Sequence, residues 1–354
     1  MTNLSELSPT EIAQKLELQP YQGRQIFRWM HKKSVFDFDQ MTDISKELRQ
    51  RLKAECSAGQ LALIRMSASS RANGTKKALL RLADGETVET VLIRDRERST
   101  ICLSTQVGCA VKCAFCATGM SGYTRNLNPG EIVEQALYLL ADEKMEGRSP
   151  NIVFMGMGEP FRNYDATMRS IRLLMASDGL GIGARRITVS TAGEVKGIEQ
   201  FAEENWQVRL SVSLHAANDT LRTKLVPLNR KYPLDMLVKA IKKYLEKTGR
   251  KITFEWTLLK DVNDSQKDAD ELVRIARPLN ASVNLIPCNP VAELGYEPPT
   301  TDRCTTFRDV LIRNGITTTL RRERGQDIDA ACGQLRRRVA ESGGVTPSPT
   351  AQPV

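Results

Sequence analysis

Three cysteines stand close together in the first third of the chain, at Cys109, Cys113 and Cys116. The spacing C-x3-C-x2-C supplies three thiolates, which are ligands for soft metal ions and iron–sulfur clusters. A structural zinc site commonly takes four ligands as two separated pairs, and the sequence offers no second pair. The spacing therefore favours a [4Fe–4S] cluster with one iron left open to a substrate. Zinc completed by a distant ligand is the alternative.

Further groups able to bind a small molecule stand near the ends of predicted strands. In Gly156-Met157-Gly158-Glu159, the carboxylate can accept hydrogen bonds from an ammonium group. Ser190 and the run Ser213-Leu214-His215 offer hydroxyls and an imidazole to a ribose or a carboxylate. Asn289 can bind the edge of an adenine or a ribose. Each signal is weak alone, because a single histidine or a glycine-rich turn is usually structural, but together they indicate one binding site.

The elements that position these residues follow from the hydrophobic pattern beyond Thr100. Strands are predicted at 101–105, 151–155, 186–190, 208–214, 252–259 and 282–286, with helices near 130–143, 164–176, 194–204, 233–247, 265–277 and 301–313. Successive βα units imply a parallel sheet, either open or curled into a partial barrel. Ligands bind at the carboxyl ends of such strands, so the loops described above are expected to meet at one mouth.

The chain before the barrel divides into two parts. Residues 1–58 predict three short helices with basic faces, which suit RNA docking or a solvated cap equally well. The first begins at Ser8, the second runs from Tyr21 to Lys33, and Thr42-Asp43 is expected to cap the third. Residues 59–98 read as a β-rich extension of short strands.

The cysteine motif, in the loop after the first barrel strand, resembles the signature of the radical S-adenosylmethionine (SAM) superfamily. The resemblance implies an α/β fold: a radical SAM partial (β/α)6 barrel, here with a small N-terminal helical domain and strand extensions. It also implies one [4Fe–4S] cluster on Cys109, Cys113 and Cys116, and SAM as cofactor. The SAM-binding residues it implies are Gly158, Glu159, Ser190, Ser213, Leu214, His215 and Asn289.

Two further cysteines indicate which family within this superfamily the chain resembles. Cys102 precedes the motif, and Cys332 lies far downstream between Gly325 and Gly333. A buried cysteine is usually a small apolar residue, yet the polar and small neighbours of Cys332 suit a flexible loop. From Tyr21 to Leu335 the chain resembles the adenine C2 methyltransferases of 23S ribosomal RNA, which also modify transfer RNA.

This resemblance implies a mechanism with two SAM molecules per turnover. Cys332 takes a methyl group from the first, and a radical made from the second activates that methyl group toward adenine. Cys102 then releases the product through a transient disulfide with Cys332. Glu89 matches the position of the base that removes the adenine proton, although Cys102 could share this role and Glu89 could be an exposed carboxylate. Adenine C8 methylation by a related resistance enzyme with the same cysteines is the alternative.

Charge and composition indicate a basic protein with a clustered patch. The net charge is +9, and residues 311–340 carry seven arginines against three acidic residues, a net +4. The arginines of this patch are Arg313, Arg321, Arg322, Arg324, Arg336, Arg337 and Arg338. Such a patch is expected to contact RNA phosphates, the alternative being an ordinary basic surface.

The expected organisation is a helical RNA-docking domain (1–58), a β-rich extension (59–98), the barrel (99–314), a C-terminal segment with Cys332 (315–341) and a disordered tail (342–354). No apolar run approaches the roughly 20 residues that cross a bilayer, and the polar N-terminus is no signal peptide. A cytoplasmic location and a flavodoxin-type reductant are expected, with no membrane partner. Reduced thiols there suit metal ligation better than a disulfide framework.

Two other functional classes stay open from the sequence. A non-enzymatic iron–sulfur or zinc protein that binds nucleic acid would need the cysteines and arginines but not the SAM-binding loops. A radical SAM activase or maturase acting on a protein would share the barrel but would not need Cys332.

Overall fold

The computed structural model describes residues 1–70, 74–95, 98–141, 149–321 and 325–335. The predicted tail at 342–354 lies outside these ranges. Within them, the helices are all too short or too polar to span a bilayer.

The N-terminal residues form a small helical module. Its elements are β1 (Thr2–Asn3), α1 (Pro9–Lys15), α2 (Pro20–His31), α3 (Lys46–Glu55) and β2 (Cys56–Ser57), with β1 and β2 paired in parallel. Ser8 caps α1 in a capping box with Glu11, as the sequence suggests. The predicted cap of the third helix is wrong, because Ser45 rather than Thr42-Asp43 accepts a hydrogen bond from the Leu48 N–H. Asp43 instead accepts a hydrogen bond from the Trp29 indole.

Beyond the β1–β2 pair, the described residues contain one ten-stranded sheet and one small hairpin. The strands are β3 (Ala62–Ala68), β4 (Lys76–Arg81), β5 (Thr87–Asp95), β6 (Arg98–Cys102), β7 (Gln106–Gly108), β8 (Tyr123–Asn126), β9 (Asn151–Phe154), β10 (Ile187–Thr191), β11 (Arg209–Ser213), β12 (Ile252–Leu258), β13 (Ser282–Pro287) and β14 (Thr318–Leu320). The sheet order is β14-β13-β12-β11-β10-β9-β6-β5-β4-β3, while β7 and β8 form the hairpin. Neighbours from β14 to β6 are parallel, and β6 to β3 are antiparallel.

Helices connect the parallel strands as predicted. They are α4 (Ala117–Met120), α5 (Pro129–Ala141), α6 (Tyr164–Met175), α7 (Val195–Phe201), α8 (Asp219–Leu225), α9 (Leu234–Thr248), α10 (Gln266–Ala276) and α11 (Thr301–Arg313). The predicted six-strand α/β barrel is thus confirmed. The additional parallel strand β14 was not predicted, because its three residues carry no hydrophobic period.

The antiparallel strands β3 to β5 extend the barrel sheet through β6. Their register pairs Leu79 with Glu89, Lys77 with Val91, and Val91 with Cys102. Directly paired residues share a face, and residues two apart on a strand do so as well. Lys77, Glu89 and Cys102 therefore lie on one face of this extended sheet.

A buried carboxylate joins the N-terminal module to the barrel. Glu134 on α5 accepts hydrogen bonds from the backbone N–H groups of Gln60 (2.7 Å) and Leu61 (3.1 Å), where the chain leaves the module. Burial raises the pKa of Glu134 to about 7, although its hydrogen bonds oppose the rise. The junction thus depends on a carboxyl group that titrates near neutrality.

Candidate active site

A solvent-open cavity of about 920 Å³ lies at the carboxyl ends of the parallel strands. This volume includes open solvent, and the cavity combines apolar walls with a few polar groups, as small-molecule sites usually do. Ten residues that the sequence singled out line it: Cys109, Cys113, Cys116, Gly158, Glu159, Ser190, Ser213, His215, Asn289 and Cys332. Three others from the described chain, Leu214, Glu89 and Cys102, are not among its lining residues.

Loop hydrogen bonds hold the three motif cysteines. The Ala114 N–H donates to the Leu225 carbonyl (2.9 Å), and the Cys116 N–H donates to the Cys113 carbonyl (3.2 Å). Burial raises the pKa of the Cys109 thiol to about 12, and the Cys116 thiolate adds to this rise. Burial likewise raises the pKa of Cys113 well above its usual value, with further contributions from Cys116 and Cys109. The thiols are therefore near enough to repel one another as thiolates.

This donor set fits a positively charged iron–sulfur group. Thiolates bind such clusters, and cationic iron offsets the charge that burial and mutual repulsion disfavour. The fully buried guanidinium of Arg222 also places positive charge near the motif. It donates hydrogen bonds to the carbonyls of Ala192 (2.7 Å) and Leu214 (3.2 Å). Burial lowers the pKa of Arg222 to about 10, an effect that the Cys113 thiolate opposes. Among the described residues, no group of three His, Cys, Asp or Glu side chains is arranged to hold a single metal ion.

Two glycines in the loop after β9 allow a close approach of backbone segments. A Cβ on Gly156 would lie 2.7 Å from the Leu103 carbonyl oxygen. Gly158 has a φ of +109°, and its Cβ would lie 2.7 Å from the Cβ of Gln106. A larger residue at either position would displace the loop that carries Glu159.

The Glu159 carboxylate is buried and already oriented. Its oxygens accept hydrogen bonds from the backbone N–H groups of Ala192 (2.7 Å) and Phe161 (3.1 Å). Burial raises the pKa of Glu159 to about 7, although these hydrogen bonds oppose the rise. Each carboxylate oxygen has two lone pairs, so Glu159 keeps acceptor capacity for an ammonium group in the cavity.

His215 is a neutral hydrogen-bonding group at the cavity wall. Its Nδ1 accepts a hydrogen bond from the Thr257 N–H (2.9 Å), which leaves the proton on Nε2. Burial, aided by the Arg222 charge, lowers the pKa of His215 to about 3. The hydroxyls of Ser190 and Ser213 lie 3.4 Å apart beside it.

Leu214 differs from the other SAM-binding candidates in its placement. It is fully buried, its N–H donates to the Glu255 carbonyl (3.0 Å), and its carbonyl accepts from Arg222. The side chain of Leu214 belongs to the buried core, whereas Ser213, the last residue of β11, lines the cavity.

Residues 325–335, the Cys332 segment, close one side of the cavity. The Asn289 amide donates to the Cys332 carbonyl (3.1 Å). The Ala117 N–H donates to the Gly333 carbonyl (2.8 Å), and the Thr118 hydroxyl donates to the Leu335 carbonyl (2.5 Å). Since Ala117 and Thr118 directly follow Cys116, the segment is fastened to the chain that carries the motif.

The Cys332 thiol is accessible and lies among ionisable groups. Cys332 is exposed and lines the cavity, but surrounding protein atoms still raise the pKa of its thiol. The Arg321 charge opposes this rise, while the Glu255 carboxylate and the Cys116 thiolate add to it. Cys102, the last residue of β6, is buried, and burial together with the Cys332 thiolate raises its pKa to about 12. The two outlying cysteines are therefore electrostatic neighbours.

Arg321, one of the clustered arginines, has charged neighbours at the site. Burial lowers the pKa of its guanidinium, but the charges of Cys332, Glu255 and Cys102 outweigh this effect and raise it. Arg321 therefore lies among these groups near the cavity. Arg313 is exposed, while Arg322, Arg324 and Arg336–Arg338 lie outside the described residues.

Glu89 is a buried carboxylate rather than an exposed one. It is fully buried on β5, and its Oε1 lies 3.1 Å from the Lys77 Nζ on β4. The Ser104 hydroxyl donates to the Glu89 carbonyl (2.7 Å) and accepts from the Met157 N–H (2.9 Å), which joins Glu89 to the glycine loop.

Sequence reasoning missed three charged residues of this region. Lys77 and Glu255 are almost fully buried, and Arg321 is half-buried beside Cys332. A signal existed for Lys77 and Glu255, because each occupies a position within a hydrophobic strand where a charge is costly without a partner.

Fold and site together define a radical SAM enzyme. The family model of the radical SAM superfamily matches residues 103–273, and that of the ribosomal RNA large subunit methyltransferase N-terminal domain matches residues 1–58. The crystal structure of a radical SAM methyltransferase from Sphaerobacter thermophilus is 46% identical and superposes with a TM-score of 0.91. That match covers 95% of this chain and 99% of the other.

Curated relatives identify the family within this superfamily. The probable dual-specificity RNA methyltransferase RlmN of Thermotoga maritima is 47% identical over 339 residues, covering 95% of this chain and 98% of the relative. The protein of the same name from Thermoanaerobacter sp. (strain X514) is 47% identical over 318 residues, with 90% and 92% covered. The chain belongs to the RlmN family of radical SAM RNA methyltransferases.

Proposed function

We propose that this enzyme methylates C2 of an adenine in 23S ribosomal RNA and in transfer RNA through S-methylcysteine at Cys332. The observation that carries the proposal is that Cys332 lines the same cavity as the three motif cysteines. The family supports methylation of RNA, and the position of Cys332 supports its role as the methyl carrier.

Cys109, Cys113 and Cys116 hold a [4Fe–4S] cluster in this proposal. When bound, the cluster supplies the electron that cleaves SAM into methionine and a 5′-deoxyadenosyl radical. Glu159 accepts hydrogen bonds from the SAM ammonium group, with Gly158 shaping the loop. Ser190, Ser213, His215 and Asn289 orient the remaining polar groups of SAM, and Leu214 contributes through its backbone.

The first SAM methylates the protein. The Cys332 thiolate attacks the SAM methyl carbon and releases S-adenosylhomocysteine. Only the thiolate is nucleophilic, and the Arg321 charge favours that form while burial opposes it. The sulfonium charge of SAM adds to the stabilisation of the thiolate when both are in the cavity.

The second SAM activates the methyl group. The 5′-deoxyadenosyl radical takes a hydrogen atom from the methyl on Cys332, and the resulting methylene radical adds to adenine C2. The adduct then gives one electron back to the electron-transfer protein that supplied the first, and it loses the C2 proton, for which Glu89 is the proposed base. Attack of the Cys102 thiolate on the Cys332 sulfur forms a disulfide and breaks the bond from that sulfur to the methylene carbon, which keeps the electron pair and takes up a proton. A thiol reductant then returns the disulfide to two thiols for the next turnover.

RNA binding is assigned to the basic parts of the chain. We propose that residues 1–58 and the arginines of the C-terminal segment (315–341) contact phosphates, with 59–98 extending the barrel (99–314). A flavodoxin-type protein supplies electrons, and the enzyme acts in the cytoplasm, where its RNA substrates are found.

Substitution of the two outlying cysteines tests this function. Cys332→Ala should abolish RNA methylation, because no sulfur carries the methyl group. Cys102→Ala should still be methylated at Cys332 and should still attack the base, so a protein–RNA adduct should accumulate on denaturing gels. Iron content, measured in both variants, controls for misfolding.

Nucleoside mass spectrometry completes the test, since C2- and C8-methyladenosine separate by chromatography. Cys332 should be found partly methylated in protein purified from cells. Normal turnover of Cys102→Ala, or a Cys332 that is never methylated, would exclude this mechanism.

A further inference from the structure

The Cys332 segment is fastened to the extended sheet as well as to the motif loop. The Lys77 Nζ donates to the Asp329 carbonyl (3.0 Å), three residues before Cys332. At the end of β3, the Ser69 hydroxyl (2.7 Å) and the Ser70 N–H (2.9 Å) donate to the Asp327 carboxylate. The extension therefore forms the surface on which this segment rests.

Lys77 has a second partner with a different role. The same Nζ lies 3.1 Å from the Glu89 Oε1, and the side chains of Lys77 and Glu89 are 4% and 0% exposed. The ammonium group thus bridges a fully buried carboxylate and the main chain that carries Cys332. The contact with Glu89 is an ion pair, while the contact with the Asp329 carbonyl is a hydrogen bond, so one ammonium group serves both.

The strand register places Lys77 next to Glu89. Lys77 pairs with Val91, two residues from Glu89, so the two charged side chains are diagonal neighbours on one face. Cys102 pairs with Val91 from the other side. Lys77 therefore lies between Glu89, the proposed base, and the main chain that leads to Cys332. Cys102 lies on the same face of the sheet.

We propose that Lys77 is a positioning residue whose ammonium group holds the Glu89 carboxylate and the Cys332 segment in a fixed mutual arrangement. This inference rests on the proposed roles of Glu89 and Cys332. The base and the methyl carrier belong to chain segments more than 200 residues apart, and Lys77 contacts both. Its function is to keep the proton acceptor and the methylated sulfur in register with the same adenine.

Four variants of the full-length, cluster-loaded protein test the inference. Lys77→Met keeps the length of the side chain but removes the charge and the donors, and Lys77→Arg restores both. Lys76→Met is the matched control on the opposite face of the same strand. Glu89→Gln removes the base while Lys77 can still donate to Asp329.

Hydrogen exchange of peptides covering 325–335 is the first measurement. Exchange should be faster in Lys77→Met, and should stay as in the wild type in Lys77→Arg, Lys76→Met and Glu89→Gln. If Lys77→Met does not fold, the double variant Lys77→Met with Glu89→Gln removes the unpaired buried charge, and its exchange in 325–335 should still be faster.

Formation of methyladenosine is the second measurement. Lys77→Met should lower kcat on the order of 100-fold, the loss that a displacement of about 1 Å can cause, with KM for RNA unchanged. Lys77→Arg should recover most of this loss. Unchanged exchange in Lys77→Met, or equal losses of kcat in Lys77→Met and Lys77→Arg, would overturn the inference.

A failure of the proposed function can be distinguished from a failure of the inference about Lys77. If Glu89→Gln forms methyladenosine at the wild-type rate, Glu89 is not the base, while the exchange of 325–335 still reports on Lys77. If Glu89→Gln is inactive and Lys77→Met is fully active, the base assignment survives and the positioning role is wrong.

Discussion

At the cysteines of this site, burial and neighbouring positive charge shift the pKa of the thiol in opposite directions. Burial raises the pKa of Cys332, and the Arg321 charge works against it. Cys102 has less compensation, and its pKa rises to about 12. In the absence of a substrate, both groups are therefore thiols at neutral pH. In the mechanism proposed above, cationic SAM in the cavity would favour ionisation of Cys332 and so couple methyl transfer to occupancy of the cavity.

Removal of one motif cysteine tests the cluster assignment. Cys113→Ala, purified without oxygen, should lose the broad absorbance of a [4Fe–4S] centre and all cleavage of SAM, because two thiolates cannot hold the cluster. Cys304→Ala, a buried cysteine on α11, is the control and should keep both properties. About four irons per chain with normal SAM cleavage in Cys113→Ala would contradict the assignment.

The sequence anticipated single residues best where a local pattern determines their position. The motif cysteines stand in one loop, and Ser190 and Ser213 come at strand ends, so the topology of the barrel brings them together. The pairing of Glu89 with Lys77 could not be predicted, because it depends on the register between β4 and β5.

Helices and strands of this chain follow their sequence signals except where these signals are short. Ser8 and Glu11 predict the start of α1 correctly, because a capping box is a local feature. Ser45 was overlooked beside the equally suitable Asp43, whose carboxylate is engaged by Trp29. Strand β14 depends on pairing with β13 and could not be recognised from three residues.

The contact between α5 and the start of the extension should depend on pH. Glu134 has a folded-state pKa of about 7, above its usual 4.5, so the folded protein binds a proton more tightly than the unfolded chain does. This group therefore lowers the free energy of unfolding as pH rises from 4.5 to 7 and slightly above, by about 1 kcal/mol between pH 6 and 8. In Glu134→Gln, the free energy of unfolding should fall less over the same pH range.

Thermal melting of the wild type and Glu134→Gln between pH 6 and 8 measures this difference. Glu199→Gln, which removes an exposed carboxylate paired with Lys243, is the control and should follow the wild type. Parallel curves for the wild type and Glu134→Gln would show that Glu134 does not titrate in this range.

The whole molecule presents an excess of positive charge to its partners. Its net charge of +9 favours association with RNA, and each phosphate contact releases counterions. Arg321 is half-buried near the cavity, so arginines that are clustered in the sequence do not all lie on the outer surface of the protein. The remaining arginines of the cluster still predict an electrostatic contribution to binding.

Replacement of Arg336, Arg337 and Arg338 by Gln should weaken binding to ribosomal RNA fragments. The plot of log affinity against log salt should also become flatter, by about one unit of slope per lost phosphate contact. Replacement of Lys239, Lys242 and Lys243 on α9 by Gln removes the same charge elsewhere and should change the slope less. Equal slopes for the arginine variant and the wild type would show that these arginines do not contact RNA.

The fastening of the Cys332 segment has a consequence for the order of folding. Its hydrogen bonds to Thr118 in the motif loop and to the β-rich extension join residues separated by 217 to 258 positions, so they form after the long intervening chain has been organised. During synthesis the segment also leaves the ribosome after the entire barrel. If the motif holds the proposed cluster, iron can therefore be inserted before the Cys332 segment closes the cavity, and Cys332, the proposed methyl carrier, joins the site last.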